Sequence, residues 1–129
     1  MTHGVLLFAH GARDPRWAAP FRDVEARMRG AEPLLDVRLA FLEFMTPSLH
    51  DAGEALVAAG CTRIDVVPLF LGAGGHVRKD LPQLLHELRQ RHPGVTWHLR
   101  EAIGEVDSVV EAMAQAALRL AAGPDSATR

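Results

Sequence analysis

RIDVVPLFLGAGGHVRKDLPQLLHELRQRH, residues 63 to 92, is the stretch that decides the fold. Its first part, RIDVVPLFLG (63–72), is apolar almost throughout and does not alternate with polar residues. That pattern predicts a strand covered on both faces, as in a parallel sheet. A glycine-rich loop follows. KDLPQLLHELRQRH (79–92) then places its leucines at helical spacing and predicts a helix. The same strand–loop–helix unit recurs on either side. VLLFA (5–9) reads as a first strand, and residues 16–30 set Trp17, Phe21, Val24 and Met28 at helical spacing before Gly30, with Pro20 near the start where a proline is tolerated. DVRLAFLEF (36–44) is a second strand. The helix predicted over 46–60 has Thr46 as N-cap, Pro47 in the first helical position and Gly60 as its stop. VTWHLREAIG (95–104) is a fourth strand and 107–122 a last helix, capped by Asp107 or Ser108.

Four buried strands alternating with helices predict an α/β fold. It is a three-layer sandwich with a four-stranded parallel sheet flanked by helices, as one domain over residues 1–122 with a flexible tail at 123–129. Right-handed crossovers bring every loop that follows a strand to one edge of the sheet, and ligands of open α/β sheets bind outside that carboxyl edge.

Composition narrows the partners. Of 129 residues, 48% are hydrophobic, enough for a core, and 14 basic against 16 acidic residues give a net charge of −2. That balance argues against a nucleic-acid binder or a polybasic membrane module. The one cysteine, Cys61, excludes an internal disulfide and reads as a small core residue of a protein from a reducing compartment. The N-terminus has no basic region and only five consecutive apolar residues, unlike a signal peptide or a spanning helix, so a cytoplasmic location is expected.

His10 ends the first strand, Glu43 lies near the end of the second, and His76 follows the third in LGAGGH. Thirty-three residues separate each from the next, one strand–helix unit, and each polar group interrupts an apolar stretch. Two imidazoles and a carboxylate suit a borderline divalent metal such as Fe²⁺, Co²⁺, Ni²⁺ or Zn²⁺, and equally suit proton transfer near neutral pH. The plain alternative is a paired carboxylate and two histidines at strand ends. Arg13, Arg16, Arg78 and Lys79 flank the two histidines and suit carboxylates or phosphates. Phe41, Phe44, Met45, Phe70 and Leu71 bracket the same edge, most of them as core and one or two as an apolar wall for a flat ligand. His3, His50, His86, His92 and His98 read as structural or exposed.

Several motifs fail. GAGGHV (72–77) has Val77 where G-x-G-x-x-G needs its third glycine, Lys79 precedes Asp80 rather than Ser or Thr, and G-x-S-x-G is absent. Two rivals to a metal-dependent enzyme stay open on the residues alone. One is a divalent-metal binding or delivery protein that uses the trio without turnover. The other is a phosphohistidine phosphoryl-transfer enzyme built on His10 and Arg13, although Ala9 stands where an arginine would be wanted.

FAHGARDPRW (8–17), FLEFMTPSL (41–49) and PLFLGAGGHVRKDLP (68–82) resemble the class II chelatases, in particular the short, CbiX-like sirohydrochlorin cobaltochelatases and their ferrochelatase relatives. The resemblance runs from about residue 4 to residue 121. It implies insertion of a divalent metal, Co²⁺ first and Fe²⁺ or Ni²⁺ also possible, into sirohydrochlorin on the way to cobalamin or siroheme. It also implies a homodimer, with the metal as substrate and no permanently bound cofactor. His10 and His76 match the family's histidine pair, which holds the metal and assists loss of the pyrrole protons. Glu43 matches its carboxylate, and Arg13, Arg78 and Lys79 are placed to meet the substrate's peripheral carboxylates. After the fourth strand the family pattern is replaced by AIGEVD (102–107).

Overall fold

The computed structural model describes residues 2–72 and 74–123, with the side chains of residues 75–78 outside that description. Four strands, β1 (Thr2–Ala9), β2 (Asp36–Phe41), β3 (Cys61–Pro68) and β4 (Thr96–Leu99), form one parallel sheet in the order β2-β1-β3-β4. Four helices alternate with them: α1 (Ala19–Ala31), α2 (Leu49–Ala58), α3 (Gly75–Arg91) and α4 (Asp107–Ala122). The expected four-stranded parallel α/β architecture is therefore observed.

Successive side chains on a strand point to opposite faces, and both faces of β1 are buried. Leu6 and Phe8 join Ile64, Val66 and Trp97 beneath α2 and α3, which contribute Leu49, Ala52, Leu56, Leu81, Leu85 and Leu88. Val5, Leu7 and Ala9 join Val37, Leu39 and Phe41 on the other face, where Ala18, Trp17, Phe21 and Met28 close over them. Cys61 lies in the first of these cores, and burial pushes its thiol pKa up, as a small core residue requires.

The second face is apolar over β1 and β2 and at Val67 near the end of β3. On its β3–β4 side stands Asp65, 7% exposed, held by His3, by Arg100 at 2.7 Å and by Arg63 at 3.4 Å. Helix α4 buries none of its residues and packs chiefly on the short 3-10 turn Ile103–Glu105 before it. Its apolar positions Val110, Met113, Leu118 and Leu120 are all exposed. An amphipathic pattern announces that a helix needs an apolar partner without saying where that partner is.

Side chains meet outward backbone groups on both sheet edges. Arg29 donates to the outward Val37 carbonyl of β2 at 2.9 and 2.6 Å, and Glu25 accepts from the Leu39 N–H at 2.9 Å. On the far edge Arg89 donates to the Trp97 carbonyl at 3.0 Å. These side chains occupy some of the unpaired backbone groups that make an edge strand a pairing template.

Several expected boundaries move. Residues 16–30 divide into a 3-10 turn, Pro15–Ala18, and α1. The second strand ends at Phe41 rather than Phe44, because the Phe41 N–H bonds back to the Pro47 carbonyl and residues 42–47 loop out between them. Helix α2 therefore starts at Leu49. Its N-cap is Ser48, whose hydroxyl accepts from the Asp51 N–H at 3.1 Å, and Thr46 and Pro47 lie in the loop, joined by a cis peptide bond. Helix α3 begins four residues earlier than expected, with Gly74 as N-cap, so Pro82 is interior. A proline there removes one backbone hydrogen bond; buried Leu81, Leu85 and Leu88 hold the helix through it. The fourth strand is only Thr96–Leu99, and α4 is preceded by Val106 as N-cap with no capping side chain, in place of Asp107 or Ser108. Most of the expected tail, residues 124–129, lies outside the described residues.

Candidate active site

His10 follows directly on β1, exposed at the carboxyl edge of the sheet. Its ring lies against Phe70, with centroids 4.3 Å apart and planes 41° to each other, and Phe70 in turn meets Phe8 edge-on at 5.9 Å. Phe70 is itself buried, so the imidazole rests on a rigid platform while its own surface faces solvent.

Glu43 comes from the loop after β2 and is exposed. Two backbone bonds fix that loop against the end of β1: Leu42 N–H to the Ala9 carbonyl at 2.9 Å and Glu43 N–H to the His10 carbonyl at 3.1 Å. Gly11 makes the approach possible. Its φ is +89°, and an added Cβ would lie 3.0 Å from the Glu43 carbonyl carbon and overlap its oxygen. A left-handed backbone and close packing against another main chain are the two conditions that call for glycine. His10 and Glu43 are thus brought together by main chain, from separate strand ends.

His76 lies in the first turn of α3 rather than in a free glycine loop, and Arg78 is two residues further on. The side chains of both are outside the described residues. Lys79 is exposed on the same helix. Among the described residues no group of three metal-binding side chains is complete. Arg13 is exposed, with its guanidinium carbon 4.4 Å from the centroid of the Phe44 ring. Arg16 is engaged by Asp14 through a forked pair, at 2.9 Å for the shortest contact, which also holds the Asp14 pKa below its ordinary value. The Asp14 side chain accepts from the Arg16 N–H as well, capping the 3-10 turn. That engagement sets Arg16 apart from the basic residues available to a ligand.

The loop after β4 reaches the same edge. The Gly104 N–H donates to the Phe70 carbonyl at 2.9 Å, and a Cβ on Gly104 would overlap the Leu71 backbone. AIGEVD therefore supports the Phe70 platform. The part played by Gly11, Gly104 and the Phe70 ring was not readable from the sequence, since a glycine in a loop and a phenylalanine at a strand end each have many ordinary uses. The other histidines are structural where their partners are seen. His50 bonds Glu87 at 3.0 Å and His92 bonds Glu54 at 2.9 Å, tying α2 to α3.

A hollow of about 330 Å³ opens at this edge between Leu42, Asp80, Gln83 and Leu84. A larger one, about 660 Å³ between Arg29 and Arg38, lies at the opposite end of β2, away from His10 and Glu43.

The CbiX family model matches residues 4–120. A sirohydrochlorin cobaltochelatase from Sulfurisphaera tokodaii is 33% identical over 109 residues, covering 84% of this chain and 86% of that protein. One from Saccharolobus solfataricus is 42% identical over 86 residues, covering 64% and 62% respectively. Among solved structures, a CbiX protein ascribed to cobalamin biosynthesis in Marinobacter aquaeolei VT8 superposes with a TM-score of 0.78 at 33% identity, over 90% of this chain and 94% of that one. The sirohydrochlorin chelatase SirB from Bacillus subtilis subspecies spizizenii, in complex with cobalt, gives a TM-score of 0.78 at 26% identity, over 89% of this chain but 49% of SirB.

Proposed function

Because the chain belongs to the CbiX family, we propose that it is a metal chelatase that inserts a divalent metal, Co²⁺ foremost, into sirohydrochlorin. The observation that carries this reading is the backbone junction of His10 and Glu43, 3.1 Å from N–H to carbonyl, at the carboxyl edge of the sheet. Metallation of a tetrapyrrole removes two N–H protons as a dication arrives, so the site needs bases and exchangeable ligands side by side. Imidazole and carboxylate serve both needs and hold a metal less firmly than thiolates would. His10 and Glu43 present these groups to solvent on fixed main chain. His76, from the start of α3, is the proposed second imidazole, and Arg13, Arg78 and Lys79 the proposed partners for peripheral carboxylates. Fe²⁺ and Ni²⁺ fit the same donors. The product then enters cobalamin or siroheme-type synthesis, in the cytoplasm; no helix among the described residues is long and apolar enough to cross a membrane.

The working unit is a homodimer of single domains over residues 1–122. The chain spans about half of SirB, so a second copy supplies an equivalent amount of structure. The surface proposed for the second copy is α4, whose Val110, Met113 and Leu120 are 46%, 41% and 80% exposed.

The test is anaerobic: sirohydrochlorin and Co²⁺ followed by absorbance, with the wild type beside His10→Ala/His76→Ala, and the protein's mass in solution measured in parallel. Acceleration over the protein-free rate that the double variant loses is the expected result. Rates equal to the blank overturn the chelatase and favour a metal carrier. A monomeric wild type overturns the dimer.

A further inference from the structure

Phe44 is out of place by ordinary rules. It has φ = +66°, a left-handed backbone that costs any side-chain-bearing residue energy and is an outlier for a bulky one. It is also 56% exposed, so little burial offsets the conformation. Such strain persists only where surrounding structure enforces it, and here the base of the loop is tied down on both sides. The Phe41 N–H bonds the Pro47 carbonyl at 2.9 Å, and the Glu43 N–H bonds the His10 carbonyl. The effect is to hold an aromatic ring out at the carboxyl edge, one residue from Glu43. Arg13 sits over one face of that ring, 4.4 Å from its centroid.

We propose that Phe44 is the residue that recognises the substrate's flat conjugated ring. Its exposed surface is the stacking platform for the macrocycle, and Arg13 above it is set to receive one of the macrocycle's carboxylates. The proposal rests on the chelatase reading and adds a specificity determinant to it. A flat π system and a rim of negative charge are the two features that distinguish such a ligand from the metal ion. An aromatic face carrying a guanidinium addresses both at once. The trio of His10, Glu43 and His76 addresses only the metal and the protons.

The backbone strain gives the test its force, because binding and stability should move in opposite directions. In Phe44→Gly the left-handed position becomes comfortable while the ring is lost. Its thermal midpoint should equal or exceed that of the wild type. Its dissociation constant for metal-free sirohydrochlorin, read by fluorescence titration, should rise about five- to tenfold. KM for the tetrapyrrole should rise in step, with kcat nearly unchanged. Phe44→Leu, which keeps a side chain in the strained position, should show the same weakening without the gain in stability.

If the wild type binds sirohydrochlorin and Phe44→Gly binds it equally well, the proposal is overturned and the chelatase reading stands. If Phe44→Gly melts well below the wild type with KM unchanged, Phe44 is structural and the proposal again falls. If the wild type itself does not bind sirohydrochlorin, both readings fall together.

Discussion

Replacing Gly11 with alanine tests how the site is assembled. The residue has φ = +89°, which costs an alanine about 1–2 kcal/mol. The new Cβ would also occupy the position of the Glu43 carbonyl oxygen, so the two loops must separate. That breaks the Glu43 N–H bond to the His10 carbonyl, worth about 1 kcal/mol. The sum is about 2–3 kcal/mol. With an unfolding entropy of about 2.1 cal/mol/K per residue over a chain of this length, the thermal midpoint should fall by roughly 7–11 °C. Activity should fall further than stability, since a displacement of about 1 Å between reacting groups can cost about a hundredfold in rate. Gly30→Ala is the control. It lies in α1 with nothing within 4 Å of an added Cβ, and alanine there should raise the midpoint by a few degrees at most. The assay is calorimetry together with the chelatase rate measured at a temperature where both variants are folded. A Gly11→Ala protein that melts within a degree or two of wild type and keeps its rate would show that His10 and Glu43 are not held by this junction.

Two further outcomes follow from other contacts. Burial alone would raise the Asp65 pKa, but hydrogen bonds from His3 and Arg100 and the charges of Arg100 and Arg63 outweigh it and leave it below the ordinary carboxylate value. A depressed folded pKa contributes stability above the unfolded value of about 3.9 that is lost as pH falls through the folded value; Asp65→Asn should therefore cost stability at pH 7 and lose less of what remains in acid, and parallel pH profiles of urea denaturation for the two proteins would rule this out. Phe70→Leu keeps an apolar side chain in the core but removes the ring that carries His10, so kcat and its pH profile should change by more than the modest loss of stability accounts for; a lowered midpoint with an unchanged kcat would reduce Phe70 to core filling.

The elements and their order were legible because apolar runs, continuous in β1, alternate with segments of helical spacing. VLLFA reads as buried, and all of Val5 to Ala9 is buried. What stayed illegible was set by individual hydrogen bonds rather than by hydrophobic pattern. FLEF continues the apolar pattern of β2, yet the strand stops at Phe41 because the Pro47 carbonyl claims its N–H. Thr46 and Pro47 make a good helix start on local grounds, but Ser48 takes the N-cap two residues later, where its hydroxyl reaches the Asp51 N–H. Topology put His10 and Glu43 at one edge of the sheet; the main-chain bond between them and the glycine that permits it were not legible. The helix at 107–122 was legible too. That it packs chiefly on the turn before it, with Asp65, Arg63 and Arg100 occupying the β3–β4 half-face, follows only from the structure.

The loop after β4 supports the carboxyl edge through its backbone. AIGEVD brings no histidine to the edge. Its Gly104 instead donates to the Phe70 carbonyl and lies flat against the Leu71 backbone, closer than any other residue could. Phe70, fixed from that side and by Phe8 from the other, presents its ring to His10 at 4.3 Å. The His10 imidazole is therefore positioned from two directions. Gly11 and the Glu43 loop hold its main chain, and Gly104 acting through Phe70 holds its ring. In the proposed role, a base that must also release a metal cannot be fixed by strong ligation, and its orientation has to come from packing behind it. A loop that contributes a backbone donor and a missing side chain meets that requirement without adding another ligand.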